Sequence, residues 1–364
     1  MKLLFLCGSA EPGKDGVCDY TRRLCGELIR TGHKAQIVSL CDKHVVSFIT
    51  QNQVIEETQI IVRRIPITTC YKLRLAWTQE IVKEVAPDWI SLQFVPYSYH
   101  IKGLPFWLPH FLDKLKGDHK WHVMFHELWV GIEKEAHFKL KCIGYIQKQL
   151  IKEIYKSIEP KIAHTQAKIY QHYLKSIKIV ANYLPLFGNI PVNGTKNTSL
   201  NLIVFVVFAT IHDKAPFKDF IVDLKSEIQK EPKDLKFIFL GRHGDLLSSW
   251  TDVLDKHAIK YKLLGPSEEE IISQVFMDAD YGISSTPYKI SDKSGVVAAM
   301  REHQLSVISI AKPWVDLNNI PISFQDIVYY QKGSLNLNQT LTTANNSLSN
   351  CCKNFLKSIN NKSQ

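Results

Sequence analysis

Residues 264–310 read LGPSEEEIISQVFMDADYGISSTPYKISDKSGVVAAMREHQLSVISI. The pattern predicts a short helix over Ser267–Ala279 and a buried strand over Tyr281–Ser284. A polar loop follows over Ser285–Lys293, then a small-residue helix opening at Ser294-Gly295, then an apolar strand over Ser306–Ile310. A strand, a polar loop and a glycine-opened helix form an anion site, because unpaired backbone N–H groups and the helix dipole point into the loop.

The same alternation extends upstream. Strands are expected at Asn201–Phe208, Leu235–Gly241 and Ile259–Leu264, with helices at Pro216–Lys230 and Asp245–His257 between them. Ile327–Tyr330 adds one more strand. The first half repeats the scheme. Strand Lys2–Cys7 leads through a glycine-rich loop (Gly8–Gly16) to helix Val17–Arg30, which Gly32 stops before strand Ala35–Leu40. Helix Trp77–Val85, strand Trp89–Phe94, an aromatic loop Val95–Pro105, strand His122–Phe125, helix Lys139–Ile158, strand Lys161–His164 and a helix through Leu174 complete it. Residues 45–66 give no clean period. Such βαβ units imply parallel sheets with right-handed crossovers.

The fold class expected is α/β, with two Rossmann-like domains facing a cleft. Residues 181–199 carry Pro185, Gly188, Pro191 and Gly194 and read as the linker. The domains are then residues 1–185 and 186–337, and residues 338–364 are a polar tail. Within that tail Leu348, Cys352, Phe355, Leu356 and Ile359 fall at helical spacing, so the terminal helix should dock.

The chain has 364 residues, 45% hydrophobic and 22% charged, with a net charge of +10. That balance suits a folded protein with anionic substrates or an anionic surface as partner, or equally a solvated basic surface with no such role. No arginine-rich tract or nucleic-acid motif accompanies it, so nucleic acid is not an expected partner. The eight cysteines include no CxxC and read as buried or partly buried free thiols in a reducing compartment, not a zinc site. The start is too short in apolar residues for a signal peptide, and no run approaches the ~20 residues that cross a bilayer. The expected location is cytoplasmic, at most peripheral at the inner face of the plasma membrane.

Ligands of open parallel sheets bind at the carboxyl ends of strands, which selects the loops to read. The first loop, CGSAEPGKDG, is neither GxGxxG nor a Walker A loop; Gly13 and Gly16 let backbone approach a ligand, or form a plain capped turn. His126-Glu127 ends a strand, where an imidazole and a carboxylate can bond a sugar or move a proton, or simply hold the loop. It is not HExxH, since Val130 stands in the second histidine's place. In the second half Thr210, Lys214, Arg242, Lys293, Ser294 and Gly295 lie at consecutive strand ends, a set suited to a diphosphate.

With these residues in view, the chain resembles GT-B-fold glycosyltransferases of the large retaining family (family 4, or group 1). The resemblance rests on GVCDYTRRL (16–24), Gly32-His33, HELW (126–129), GPSEEE (265–270), Ala279-Asp280, Ala299-Met300 and Val307-Ile308, and spans residues 1–315. It implies a nucleotide-diphosphate-sugar donor on the second domain and a glycan or lipid-linked acceptor on the first. It also implies a closing hinge and a final helix crossing back to the first domain. By this resemblance Gly16 approaches the donor phosphates or the acceptor, His126 contacts the transferred sugar, and Lys214 lies near the donor phosphates. Two glutamates that the family carries near the 285–300 block are replaced here by Ile290 and Ala298. Donor identity is therefore open.

The chemistry expected is retaining and metal-independent, with no cofactor beyond the nucleotide sugar as co-substrate. The leaving diphosphate is held by Lys214, Arg242 and the Ser294-Gly295 amides, with Gly13, Gly16, Thr210 and Lys293 alongside. His126 stands at the sugar, and Glu127 is catalytic or orients the loop. The basic helix carrying Lys139, Lys141, Lys148, Lys152 and Lys156, with Tyr145, Ile151 and Tyr155, is expected to rest on an anionic membrane or to pack as an ordinary amphipathic helix. Two other readings stand beside transfer: a non-catalytic relative that binds a nucleotide or glycan, and a nucleotide-sugar epimerase of the same fold.

Overall fold

The computed structural model describes residues 1–195, 201–337 and 347–361. Its contacts divide the chain into two compact units. The first comprises Met1–Pro185, Val315–Ile320 and Leu348–Gln364; the second comprises Leu186–Trp314 and Pro321–Ser347.

The first unit opens with β1 (Lys2–Cys7), α1 (Gly16–Arg30), β2 (Lys34–Asp42), β3 (Ile49–Ile55), β4 (Thr58–Pro66) and α2 (Tyr71–Val85). It continues with β5 (Trp89–Phe94), α3 (Pro96–Tyr99), α4 (Leu108–Asp113), β6 (Lys120–Phe125), α5 (Phe138–Ile158), β7 (Ile162–Thr165), α6 (Lys168–Lys175) and β8 (Asn182–Tyr183). The strands form one sheet in the order β3-β4-β2-β1-β5-β6-β7-β8, parallel except for β3. Central strands covered on both faces must be apolar throughout. Accordingly β5 is buried at all six positions, and β1 at all but Lys2. Helix α2 stops where Ala86 turns left-handed before Pro87, a residue that cannot continue it.

The second unit holds β9 (Leu202–Phe208), α7 (Phe217–Ile228), β10 (Asp234–Leu240), α8 (Leu247–Lys256), β11 (Lys260–Gly265), α9 (Glu269–Asp278), β12 (Tyr281–Ser284), α10 (Gly295–Glu302), β13 (Ser306–Ser309) and β14 (Ile327–Tyr329). Its sheet runs β11-β10-β9-β12-β13-β14, all parallel. One face is packed with Phe205, Phe237, Phe217 and Trp250, the last two stacked with ring centroids 4.0 Å apart. Val206, Leu240, Phe276, Met300 and Val307 fill the other.

The last helix, α11 (Leu348–Asn361), belongs to the first unit. Leu348, Cys351, Cys352, Phe355 and Ile359 are its buried stripe. Phe355 lies 6.4 Å from Phe5 of β1 and 5.1 Å from the His122 ring of β6, centroid to centroid. The segment 315–320 also returns to this unit. There the buried Asp316 carboxylate accepts from the Tyr173 hydroxyl at 3.1 Å and from the backbone N–H of Ile320.

Several expectations change. Residues 45–66 hold the β3–β4 hairpin, turned by Glu56 and Glu57 at φ 46° and 64°. Two consecutive left-handed residues make the type I′ turn that suits strand twist, but glutamates there give none of the Asn-Gly signal that would announce it. The aromatic loop 95–105 contains α3, and α4 follows it. The boundary between the two units falls within the 181–199 segment, at Pro185–Leu186, and the segment is packed: residues 182–183 pair with β7, and Leu184, Leu186, Phe187 and Ile190 are buried. Residues 196–199, and within the tail 338–346 and 362–364, lie outside the described residues. Cys70 and Cys142 are exposed, whereas the other six thiols are buried and all eight are free.

Candidate functional site

At the carboxyl end of the first sheet, the loop after β1 is held from below by carboxylates. Ala10 N–H donates to Asp42 at 2.9 Å, Gly13 N–H to Asp19 at 3.0 Å, and Val17 and Cys18 N–H to the capping Asp15 at 2.9 and 3.1 Å. Four amides of this loop and helix start therefore already have anionic acceptors. Asp42 is fully buried and takes both Arg64 nitrogens at 2.8 and 2.9 Å. Burial alone would raise its carboxyl, but Arg64 and the His44 and Ala10 amides outweigh that and hold it below its usual range. Asp19 goes the other way: burial raises it against the opposing Gly13 amide and Arg22.

Gly13 and Gly16 are both exposed, with nothing within 4 Å of a Cβ added at either. Only Gly13 has a left-handed φ, +69°. The glycine that packing demands is Gly8, where a Cβ would sit 2.5 Å from the Ser98 carbonyl oxygen. Sequence reasoning missed it because the requirement comes from a segment 90 positions away.

His126 is 5% exposed and both ring nitrogens are engaged. Nε2 lies 2.8 Å from Gln93 Oε1 and Nδ1 lies 3.1 Å from the Gln166 amide. The Tyr20 ring meets it edge-on at 5.0 Å. Burial, against a weaker effect of Gln166, lowers its pKa from 6.5 to about 4, so the ring is neutral at pH 7. Glu127 beside it is half-buried. Gln93 and Gln166 were not anticipated; polar residues within apolar strand patterns were the available signal.

At the carboxyl end of the second sheet, three neighbouring strand ends are tied together. Ala209 N–H donates to Leu240 O at 2.9 Å, and His243 Nδ1 lies 2.7 Å from Ala209 O. Ser285 Oγ accepts from His212 N–H at 2.9 Å and donates to Thr210 O at 3.4 Å. These bonds brace the two turns after β9 and β10, where Ala209, Lys214 and Gly241 adopt φ of 63°, 61° and 90°. His243 is buried, which lowers its pKa against the opposing Ala209 and Phe239 carbonyls.

Thr210, Lys214 and Arg242 are exposed on these turns, and neither cation is ion-paired among the described residues. Lys293, Ser294 and Gly295 are half-buried at the start of α10. Ser294 caps that helix by accepting from Val297 N–H at 3.4 Å. The preceding polar loop contains a 3-10 turn over Tyr288–Lys293. Ala298 is buried in the helix and Ile290 is half-buried in that turn. Among the described residues no group of three His, Cys, Asp or Glu side chains is placed to hold a metal.

A recess of about 710 Å³ in the first unit, lined by Met1, Asp88, Trp89, His119 and Lys120, opens at the amino ends of that unit's strands. Parallel-sheet ligands bind at the other end, so it is set aside as the reaction site.

No protein-family model and no curated protein matches the chain. Solved structures match its full length. The Anabaena protein HepE, solved with UDP and glucose, is 13% identical with a TM-score of 0.52, covering 100% of this chain and 92% of that one. A trehalose-phosphate synthase from Burkholderia xenovorans, solved with glucose 6-phosphate, is 11% identical with a TM-score of 0.54, covering 99% and 100%. A UDP-GlcNAc 2-epimerase from Neisseria meningitidis, solved with UDP-GlcNAc, is 9% identical with a TM-score of 0.54, covering 99% and 100%. What the chain shares with them is the fold, so its class is GT-B: two Rossmann-like α/β domains in one polypeptide.

Proposed function

We propose that this protein is a glycosyltransferase that moves a sugar from a nucleotide-diphosphate sugar to a glycan or lipid-linked acceptor. The observation that carries the reading is the second unit's cluster of strand ends, where Lys214 and Arg242 stand on braced turns after β9 and β10, and Ser285, after β12 on the chain leading to α10, is bonded to the first of these turns. Breaking a glycosyl–diphosphate bond places negative charge on the leaving phosphate. Fixed cations and helix N–H groups lower that barrier because they need no reorganisation as the charge develops. The phosphate itself takes the acceptor's proton on the same face, so the reaction retains configuration and needs neither metal nor side-chain nucleophile. In the first unit, a neutral His126 faces the sugar and Glu127 orients its loop.

A panel of UDP-, GDP-, ADP- and dTDP-sugars, followed by thermal shift and slow donor hydrolysis, tests this. One donor is expected to raise Tm and be hydrolysed. Lys214→Ala and Arg242→Ala should each weaken donor binding about tenfold, on the scale of one charge-assisted hydrogen bond. Absence of binding across the panel sinks the transferase reading. The second reading, a non-catalytic nucleotide-sugar binder, is favoured by the buried Ala298 and by the occupied nitrogens of His126. Binding without hydrolysis, even with membrane extract as acceptor source, decides for it.

A membrane-bound acceptor, as in surface polysaccharide or glycolipid synthesis at the inner face of the plasma membrane, fits one face of α5. Phe138 is 81% and Tyr145 66% exposed there, with Lys139 and Lys141 exposed beside them. Ile101 (78%) and Phe106 (63%) lie on the segment that Gln147 ties to α5 by donating to Gly103 O at 3.1 Å. Ile151, expected on this face, is instead a core residue, and Tyr155 is half-buried. No described helix is long and apolar enough to cross a membrane. Apolar side chains among lysines suit an interfacial site on anionic lipid. The protein should sediment with phosphatidylglycerol vesicles and not with phosphatidylcholine. Replacing Lys139 and Lys141 by alanine should reduce binding roughly thirtyfold, at about 1 kcal/mol per lysine. Equal recovery with both lipids removes this part of the reading.

A further inference from the structure

A continuous line of hydrogen bonds crosses the interior of the first unit from His126 to α11. His126 Nε2 lies 2.8 Å from Gln93 Oε1, and Gln93 Nε2 donates to Ser91 Oγ at 2.7 Å. Ser91 Oγ lies 2.7 Å from His122 Nδ1, and His122 Nε2 lies 2.9 Å from His164 Nδ1. His164 Nε2 lies 3.2 Å from Ser358 Oγ on α11, and that hydroxyl donates to the Asn354 carbonyl at 2.8 Å. Ser91, Gln93, His122, His126 and His164 are all at most 5% exposed, and no carboxylate, lysine or arginine stands in the line.

The simplest account is that buried polar groups find partners, as they must. The geometry demands more. Each link needs one proton, and two neutral arrangements run the whole line in a single direction. In one, every group donates toward α11 and all three histidines carry their proton on Nε2. In the other, all three carry it on Nδ1, the Gln93 amide turns over so that its oxygen accepts from Ser91 and its nitrogen donates to His126, and the Ser358 hydroxyl must turn to His164 and give up Asn354. The first arrangement keeps one more hydrogen bond. It also leaves His126 Nδ1 as an acceptor facing the Gln166 amide. That amide then sets its nitrogen toward the ring; in the opposite setting the buried nitrogen has no partner.

We propose that Gln93, Ser91, His122, His164 and Ser358 are positioning residues through which the C-terminal helix sets the tautomer of His126. The helix reaches His126 by a second route as well: the Tyr20 ring meets His126 at 5.0 Å, and its hydroxyl lies 3.9 Å from Cys351 Sγ on α11. The consequence concerns ligand polarity. A hydroxyl that displaces Gln166 from Nδ1 must donate, because that nitrogen holds a lone pair. This consequence rests on His126 facing the sugar, as proposed above. The tautomer itself does not, and it can be read without turnover.

The test uses the full chain with ¹⁵N-labelled histidine and long-range proton–nitrogen correlation near pH 7.5. All three histidines are expected as Nε2–H. Ser358→Ala, at a half-buried helical position that alanine suits, should move the His126 ratio toward Nδ1–H by about two- to tenfold, one hydrogen bond's worth. Ser358→Thr should restore it. In a Gln93→Leu background Ser358→Ala should leave His126 unmoved, which separates relay from general loosening. Amide exchange across α11 shows in each variant that the helix stays docked. Unlike tautomers among the three histidines, or a His126 ratio indifferent to Ser358→Ala while α11 stays docked, overturns the proposal. Failure of the sugar panel leaves it standing.

Discussion

Phe355→Ala is expected to remove about 3–5 kcal/mol from the stability of the first unit. Phe355 is 1% exposed and is the side chain by which α11 meets β1, β6 and β7 at once, with Phe5, His122 and His164 as ring neighbours. Deleting the ring forfeits its transfer free energy and leaves a cavity over a sheet face that carries polar groups. That face cannot simply collapse, because His122 and His164 are fixed by their own hydrogen bonds. Urea unfolding followed by tryptophan fluorescence measures the loss, and limited proteolysis within 347–361 should speed up in parallel. A loss below about 1 kcal/mol would mean that α11 rests on the unit rather than completing it.

Stability should also fall in mild acid. Folded His126 has its pKa lowered from 6.5 to about 4 by burial, opposed by Gln166, and His122 is likewise held well below its usual value by burial and by His164 and His126. Around His126 stand Tyr20 from α1, Gln93 from β5, Gln166 after β7 and the neighbouring Glu127. Below about pH 6.5 the unfolded chain binds protons that the folded chain refuses, so stability rises with pH across this window. The contribution is complete above pH 6.5 and disappears as pH falls toward 4. For His126 alone that amounts to roughly 3 kcal/mol. The Asp42–Arg64 pair is lost at lower pH, since Asp42 is held below its usual range and stays ionised across this window. Urea midpoints at pH 7.5, 6, 5 and 4.5 measure the slope, and His126→Gln should flatten it. Equal midpoints at 7.5 and 4.5 would show that the histidines are accessible to protons in the folded state.

Much of the architecture was legible because it is local. The strands β1, β5, β9 and β12 announce themselves as apolar runs, and α1, α5, α10 and α11 by period and caps. The β3–β4 hairpin was not legible, because Glu56 and Glu57 adopt left-handed turns that their side chains do not favour. Nor was the state of the first loop. The acids Asp15, Asp19 and Asp42 were visible, but not that they would occupy the amides of Ala10, Gly13, Val17 and Cys18. The basic helix was visible as basic. Which apolar residues it leaves outside, Phe138 and Tyr145 but not Ile151, follows from what packs beneath it.

By itself, then, the sequence determined two successive parallel α/β units, a helix start at Ser294-Gly295 and a terminal helix with a buried stripe, because periodicity and capping act over a few residues. Tertiary structure alone decided where the chain returns. Segment 315–320 comes back to seat Asp316 against Tyr173, and α11 brings Ser358 to His164, 194 positions earlier. Partners so far apart leave no local signature. The tautomer of a buried histidine depends on them because low-dielectric surroundings require every donor to meet an acceptor.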